Sequence, residues 1–201
     1  MTKVNTPILY NKEYECCGCG ACMNICPSHA ISFTENSMGF LFPHIDDKKC
    51  TGCGLCKTVC AFQNIEEKNR PISTYVASNQ NSEVSKFSAS GGVFAAIASK
   101  ILNEKGMVFG AILDEKLNPV HVCIDNTNYL KPMQGSKYVQ SYIGWSYSEV
   151  KKLLNEGIQV LFSGTPCQVA GLKGYLKKDY DNLLTIDIVC HGVPNSKFFK
   201  E

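Results

Sequence analysis

Two cysteine runs, CCGCGACMNICP and CTGCGLCKTVCA, constrain this chain more than anything else in its 201 residues. The first holds Cys16, Cys19, Cys22 and Cys26 ahead of Pro27, in the spacing C-x2-C-x2-C-x3-C-P. The second repeats that spacing with Cys50, Cys53, Cys56 and Cys60, with Ala61 in place of the proline. This is how a four-iron, four-sulfur cubane is held. A cubane needs one thiolate per iron, and three cysteines at two-residue intervals wrap a tight turn around three of its corners. Gly18, Gly20, Gly52 and Gly54 allow that turn its close approach and positive φ. Where two clusters share one module, the fourth cysteine of each run ligates the other cluster. The expected ligand sets are therefore Cys16, Cys19 and Cys22 with Cys60, and Cys50, Cys53 and Cys56 with Cys26. Structural zinc sites use separated C-x2-4-C pairs, which a triple run occurring twice fits poorly.

Four of the twelve cysteines lie outside these sets: Cys17, Cys123, Cys167 and Cys190. Cys17 reads as a bystander thiol, and Cys123 as a small buried hydrophobe in a strand. The start, MTKVNTPILYNKEYE, has no apolar signal core, and no apolar run approaches the ~20 residues of a membrane span. A cytoplasmic protein is expected, in which cysteines hold metal sooner than they form disulfides. A formal charge of +2 provides no basic field for a nucleic acid or an anionic membrane. Two oxidised cubanes with their thiolates would take that charge to about −2.

The sequence changes character along its length. Residues 10–65 form the expected two-cluster module, α+β and ferredoxin-like, with so little core that its folding should depend on its clusters. Residues 66–74, within the polar NIEEKNRPIST, read as a linker. Residues 75–201 alternate strands and helices and predict an α/β domain with a mostly parallel sheet. TYVAS, MVFGAILD, PVHVCID, IQVLFSG and LLTIDIVC read as strands, and EKLN as the turn joining the second to the third. Helices are expected over 91–106, over 146–157 behind a Ser146–Glu149 capping box, and over PCQVAGLKGYLKK. Trp145 is expected to pack as an apolar staple. The chain stops at HGVPNSKFFKE as another helix begins, which reads as a fragment incomplete at its C-terminus.

Three stretches of the α/β part carry chemistry. SASGG places Ser88, Ser90, Gly91 and Gly92 at a helix start, which suits a phosphate, although a glycine pair before a helix is more often a tight turn. GTPCQ places Cys167 in the first helical turn after a buried strand, where a lowered pKa and a nucleophile or ligand role are expected. DIVCHGVP brings Cys190 and His191, the further catalytic candidates, to the carboxyl end of the next strand, the edge where open parallel sheets bind ligands. His29, His44 and His121 read as structural or exposed.

Together the double cluster motif, SASGG, GSKYVQS, VLFSGTPCQVAGLKGYL and DIVCHGVP resemble the coenzyme F420 hydrogenase/dehydrogenase beta-subunit family, from about residue 10 to the end. The resemblance implies an iron–sulfur flavoprotein, an oxidoreductase working with a redox partner protein or the other subunits of a complex. It implies FAD as a cofactor and a flavin or deazaflavin such as coenzyme F420 as acceptor. Gly91–Gly92, Ser136, Lys137, Tyr138 and the turn Gly164, Thr165, Pro166 would line the flavin site. The alternatives are a non-catalytic ferredoxin-type carrier and a shortened cluster-binding product without activity.

Overall fold

In the computed structural model, which describes residues 5–64, 70–195, 197 and 198, the cysteine runs flank a small antiparallel hairpin. Strand β1 (Ile31–Glu35) pairs with β2 (Leu41–Ile45), Ile31 opposite Ile45. Helices α1 (Ala21–Ile25) and α2 (Leu55–Thr58) each begin two residues after the second motif cysteine of their run, Cys19 or Cys53, and start on a left-handed glycine. These are Gly20 at φ 80° and Gly54 at φ 74°, positions where a side chain would be strained. Met23, Ile31 and Cys56 form the small apolar centre.

The second part contains α3 (Ser82–Phe87), α4 (Val93–Asn103), β3 (Met107–Leu113), β4 (Pro119–Ile124) and α5 (Lys131–Gln134). It continues with α6 (Ser146–Asn155), β5 (Val160–Gly164), α7 (Pro166–Leu176) and β6 (Leu183–Asp187). The strand order is β4-β3-β5-β6, with β3–β5 and β5–β6 parallel and β3–β4 antiparallel. The sheet is therefore mixed, two of its three strand pairs being parallel, where a mostly parallel one was expected. The reason is the EKLN turn, because a parallel neighbour needs a crossover of a dozen or more residues.

Alternation along the strands buries both faces. Val108 and Leu161 pack with Ala95, Ala98, Ile101 and Leu102 of α4, while Phe109, Val160 and Phe162 meet α6 and α7. Strand β6 is less covered than its apolar sequence predicts, with Leu184 42% exposed, and it ends at Asp187, short of Cys190. Two further expectations are corrected. TYVAS forms no strand: it is exposed, lying along the SASGG loop, where Asn79 N donates to the Gly91 carbonyl. β-propensity alone does not make a strand without a neighbour to pair with. Helix α6 has Trp145, not Ser146, at its N-cap; Ser146 Oγ donates to the Ile143 carbonyl, and Trp145 meets the His29 ring edge-on. Residues 65–69, within the expected module end and linker, lie outside the described residues.

The two parts share one core. Cys19, Ala21 and Val59 are buried in the same cluster as Phe109, Tyr147, Phe162, Val169 and Leu172. Two glycines on one face of α7 make the fit possible. A Cβ on Gly171 would lie 3.0 Å from Tyr147 Oη and 3.1 Å from Cys19 Sγ, and one on Gly174 would lie 2.8 Å from the Val59 carbonyl.

Candidate functional site

Two cavities are ringed by thiols. Cys26, Cys50, Cys53 and Cys56 line one, with Pro7, Ala30, Ile31 and Ile45. Cys16, Cys19, Cys22 and Cys60 line the other, with Cys17, Cys56, Leu9 and Phe33. The structure thus brings together each expected set, the fourth cysteine of each run crossing to the other's cavity. Among the described residues, no three His, Cys, Asp or Glu side chains converge as a single ion requires. Thiols spaced around a cavity suit a cubane, which takes one thiolate at each iron. Backbone amides point at the sulfurs: Ala30 N donates to Cys26 Sγ at 3.3 Å and Gly52 N to Cys50 Sγ at 3.4 Å. Such bonds favour a negatively charged sulfur; these two serve the Cys26, Cys50, Cys53, Cys56 cavity and the Gly18 amide acts likewise on Cys16 in the other, so the donor set fits a cluster in each cavity.

Burial pushes the Cys16 and Cys56 thiols up, and carries Cys22 to about 12. Cys53, at the surface, is lowered by bonds from the Leu55 amide and the Thr51 side chain. The inner thiolates are therefore costly until a metal compensates them, which links loading to folding.

Helix α7 is tied onto the first of the two loops. Its N-cap Thr165 and Gln168 form a capping box, with Thr165 N donating to Gln168 Oε1 at 3.0 Å, and Pro166 fills the first helical position. The fully buried Tyr147 Oη lies 2.7 Å from the Cys19 carbonyl and 2.8 Å from the Gln168 carbonyl, its proton shared between them. Gln140 Nε2 donates to the Cys17 carbonyl at 2.7 Å. Asn24 Nδ2 donates to the Gly144 carbonyl at 2.9 Å, stitching α1 to the segment before α6.

This junction changes the picture of Cys167. It stands in the first turn of α7, with its Sγ 3.1 Å from Thr165 Oγ1. Its bond with Cys17, then burial, push its thiol up, against the lowered value expected of a helix N-terminus. Cys17 is eased down by the bond from Cys167, but its bond with Cys19 and burial outweigh that and bring it to about 12. Cys190 is exposed beyond β6, and His191 follows it into the surface bend. Strand β6 stops three residues before Cys190, so the strand does not itself carry Cys190 to the sheet edge as its sequence led one to expect.

His121 is a buried part of the same scaffold. Its Nε2 lies 2.9 Å from the Ser163 carbonyl, which can only accept, so that nitrogen carries the proton. Nδ1 then accepts from Ser141 Oγ at 2.7 Å, and that oxygen accepts from Gln168 Nε2 at 3.0 Å. His121 therefore holds the side chain that caps α7, with its ring stacked on Phe162. Burial lowers its pKa to about 4. The folded state refuses a proton that the unfolded chain accepts near 6.5, so stability is full above that pH and falls as pH drops toward 4. The loss is about 1 kcal/mol by pH 5.5 and about 3 kcal/mol by pH 4. Urea midpoints at pH 7.5 and 5.5 should show the fall in the wild type, and a smaller fall in His121→Gln.

The residues implied for flavin lie on three segments: between α3 and α4, after α5, and in the turn at the carboxyl end of β5. Gly92 is the left-handed N-cap of α4, and Gly91 packs against the Ala77 carbonyl with no room for a Cβ. Ser88 Oγ donates to the Val84 carbonyl, Ser90 is exposed, and Gly164, Thr165 and Pro166 form the β5–α7 turn. Ser136 is exposed and Tyr138 is 76% exposed. Lys137 donates to the Pro132 carbonyl and is lowered to about 8 by burial. The structure does not gather these residues around either thiol cavity. Sequence reasoning missed Tyr147, Gln140 and the His121–Ser141–Gln168 chain. It also missed Gly171 and Gly174, although GLKG places two glycines at i and i+3 on a helix, a visible sign of close approach.

Two family models match the chain. One, the 4Fe-4S dicluster domain, covers residues 15–64. The other, the C terminus of the coenzyme F420 hydrogenase/dehydrogenase beta subunit, spans residues 158–201. The first takes in both cysteine runs and the second takes in GTPCQ and DIVCHGVP. No curated protein matches the chain. No helix among the described residues is long and apolar enough to cross a membrane.

Proposed function

We propose, from the chain's membership of the coenzyme F420 hydrogenase/dehydrogenase beta-subunit family, that it passes electrons through two [4Fe-4S] centres toward a flavin on its α/β part. Iron–sulfur electron transfer is the function that the two matched models carry together. The route and the acceptor are our reading. Its main support is the pair of thiol-ringed cavities, of which the Cys16, Cys19, Cys22, Cys60 one lies under α7. The Cys26, Cys50, Cys53, Cys56 cavity has Cys53 at the surface, and this is the centre we assign to exchange with an external partner. When bound, the clusters supply one-electron transfer and a flavin couples it to a two-electron exchange.

The chain's own residues do the placing. Tyr147 and Gln140 hold the first cluster loop against α7, and the capping box fixes the GTPCQ turn beside it. FAD is the cofactor we assign to the carboxyl edge, with a flavin or deazaflavin, coenzyme F420 included, as acceptor. The protein works as an oxidoreductase subunit beside a redox partner or the other subunits of a complex. A second reading, a carrier without flavin, is favoured by the exposure of Ser136 and Tyr138. Anaerobic purification with iron, sulfide and flavin quantitation separates the two. About eight irons per chain with bound FAD is the expected result. About eight irons and no flavin, even with excess FAD, leaves the carrier reading, and an iron-free chain replete with zinc overturns both.

A further inference from the structure

The two cysteine runs share one spacing but leave it differently. After the fourth cysteine the first run continues as Pro27, Ser28 and His29, and the second as Ala61, Phe62 and Gln63. Both chains turn back at once: His29 N donates to the Cys26 carbonyl and Gln63 N to the Cys60 carbonyl, each at 3.2 Å. His29 takes a left-handed φ of 49°, and beyond it Ala30 N donates to Cys26 Sγ at 3.3 Å. Ser28 Oγ lies 3.6 Å from the same sulfur, within hydrogen-bonding range. The second run ends otherwise. Asn64 N goes to the Cys60 carbonyl at 2.9 Å, and the residue equivalent to Ser28 is Phe62, which has no hydroxyl to offer. Cys26, Ser28 and Ala30 all line the cavity of Cys50, Cys53 and Cys56. Ser28 is half-buried there, which limits the water that competes for its hydroxyl.

We infer that Ser28 tunes the centre of Cys26, Cys50, Cys53 and Cys56, its hydroxyl donating to Cys26 Sγ so that this second centre accepts an electron more readily. The first centre, that of Cys16, Cys19, Cys22 and Cys60, lacks such a donor at the equivalent position. The inference rests on the reading that each cavity holds a [4Fe-4S] centre. A sulfur bound to iron has no proton to give, so the bond runs from the Ser28 hydroxyl to Cys26. Hydrogen bonds to the ligand sulfurs are among the factors that set a cluster's potential. A donor aimed at such a sulfur favours the more negatively charged state, which is the reduced one. Ser28 follows the first run in sequence, yet its effect falls on the second centre, because Cys26 crosses to that cavity.

The test is an anaerobic redox titration of the full, iron-loaded chain, followed by electron paramagnetic resonance. Two backgrounds isolate the centres: Cys16→Ala leaves the second and Cys53→Ala leaves the first. In the Cys16→Ala chain, Ser28→Ala should make reduction about three- to tenfold less favourable, the size of one ordinary hydrogen bond. Tenfold reads as about 59 mV for one electron. The same substitution should leave the Cys53→Ala chain unmoved, with iron at the parent's level in both. Ser28→Thr keeps a hydroxyl and should hold the parent's potential. The inference is overturned if Ser28→Ala leaves the second centre where it was, or moves the first as well. It is equally overturned if Ser28→Thr shifts the potential as far as Ser28→Ala, or if Ser28→Ala sheds iron, since packing and not the hydroxyl would then be at work. Should a background fail to fold, Ser28→Ala in the chain with all its cysteines decides the question: one of two reduction waves moves, whereas neither or both moving overturns the inference. A wild-type chain that loads no iron overturns the cluster reading itself, and the inference with it.

Discussion

Alanine at Cys16 and Cys60 together is expected to remove no more iron than alanine at either one alone. Each single substitution should take the anaerobically loaded chain from about eight irons to about four, and the pair should leave it there. Alanine at Cys56 and Cys60 together should instead strip both centres, although both residues belong to the same run. The contrast follows from the cavities: Cys60 leaves its own run to stand with Cys16, Cys19 and Cys22, and Cys26 crosses the other way. Iron and acid-labile sulfide per chain read the outcome directly. If Cys60 proves additive with Cys16 and not with Cys56, each run holds its own cluster and the crossed assignment fails.

Gly174→Val should be the most disruptive single change outside the ligands. Even the first carbon of the new side chain would lie 2.8 Å from the Val59 carbonyl, which is backbone next to Cys60. Neither α7 nor the loop can yield alone, because Tyr147 pins both at Cys19 and Gln168. Overpacking of this kind costs about 1–3 kcal/mol and sometimes more, and here it also pushes on a cluster loop. A fall in thermal midpoint of several degrees, with loss of iron from the first centre, is the expected result. Gly135→Ala is the control, since nothing lies within 4 Å of the Cβ it adds. A Gly174→Val chain with wild-type midpoint and iron would show that α7 does not press on the loop.

The parts of this fold that could be read from sequence are those in which spacing dictates geometry. The cysteine runs, with their left-handed glycines, are legible because a cubane allows few alternatives, and the β3–β4 turn and α7 follow from local turn and capping chemistry. What escaped is long-range. TYVAS has strand composition, yet it has no neighbour to pair with, and pairing is decided elsewhere in the chain. LLTIDIVC looks like a buried strand, yet it is an edge with one face half-covered. Cys167 stands in the first turn of α7, where its sequence position puts it. That α7 lies across the first loop depends on two glycines whose purpose shows only in three dimensions. His121 is the same kind of case, since a histidine between valines carries no local sign of the Ser141 and Gln168 side chains it meets.

The shared core makes iron supply a matter of survival for the whole polypeptide. Cys19, Ala21 and Val59 come from the cluster loops and finish the packing around Phe162 and Tyr147. A chain short of iron is therefore not an intact α/β half carrying an empty appendage; it has a gap at its centre. Metal loading and global folding share one equilibrium, so scarcity of iron lowers the amount of protein before it lowers the activity of what remains. Proteases that remove unfolded chains would then set the stock of this protein by how much iron is at hand.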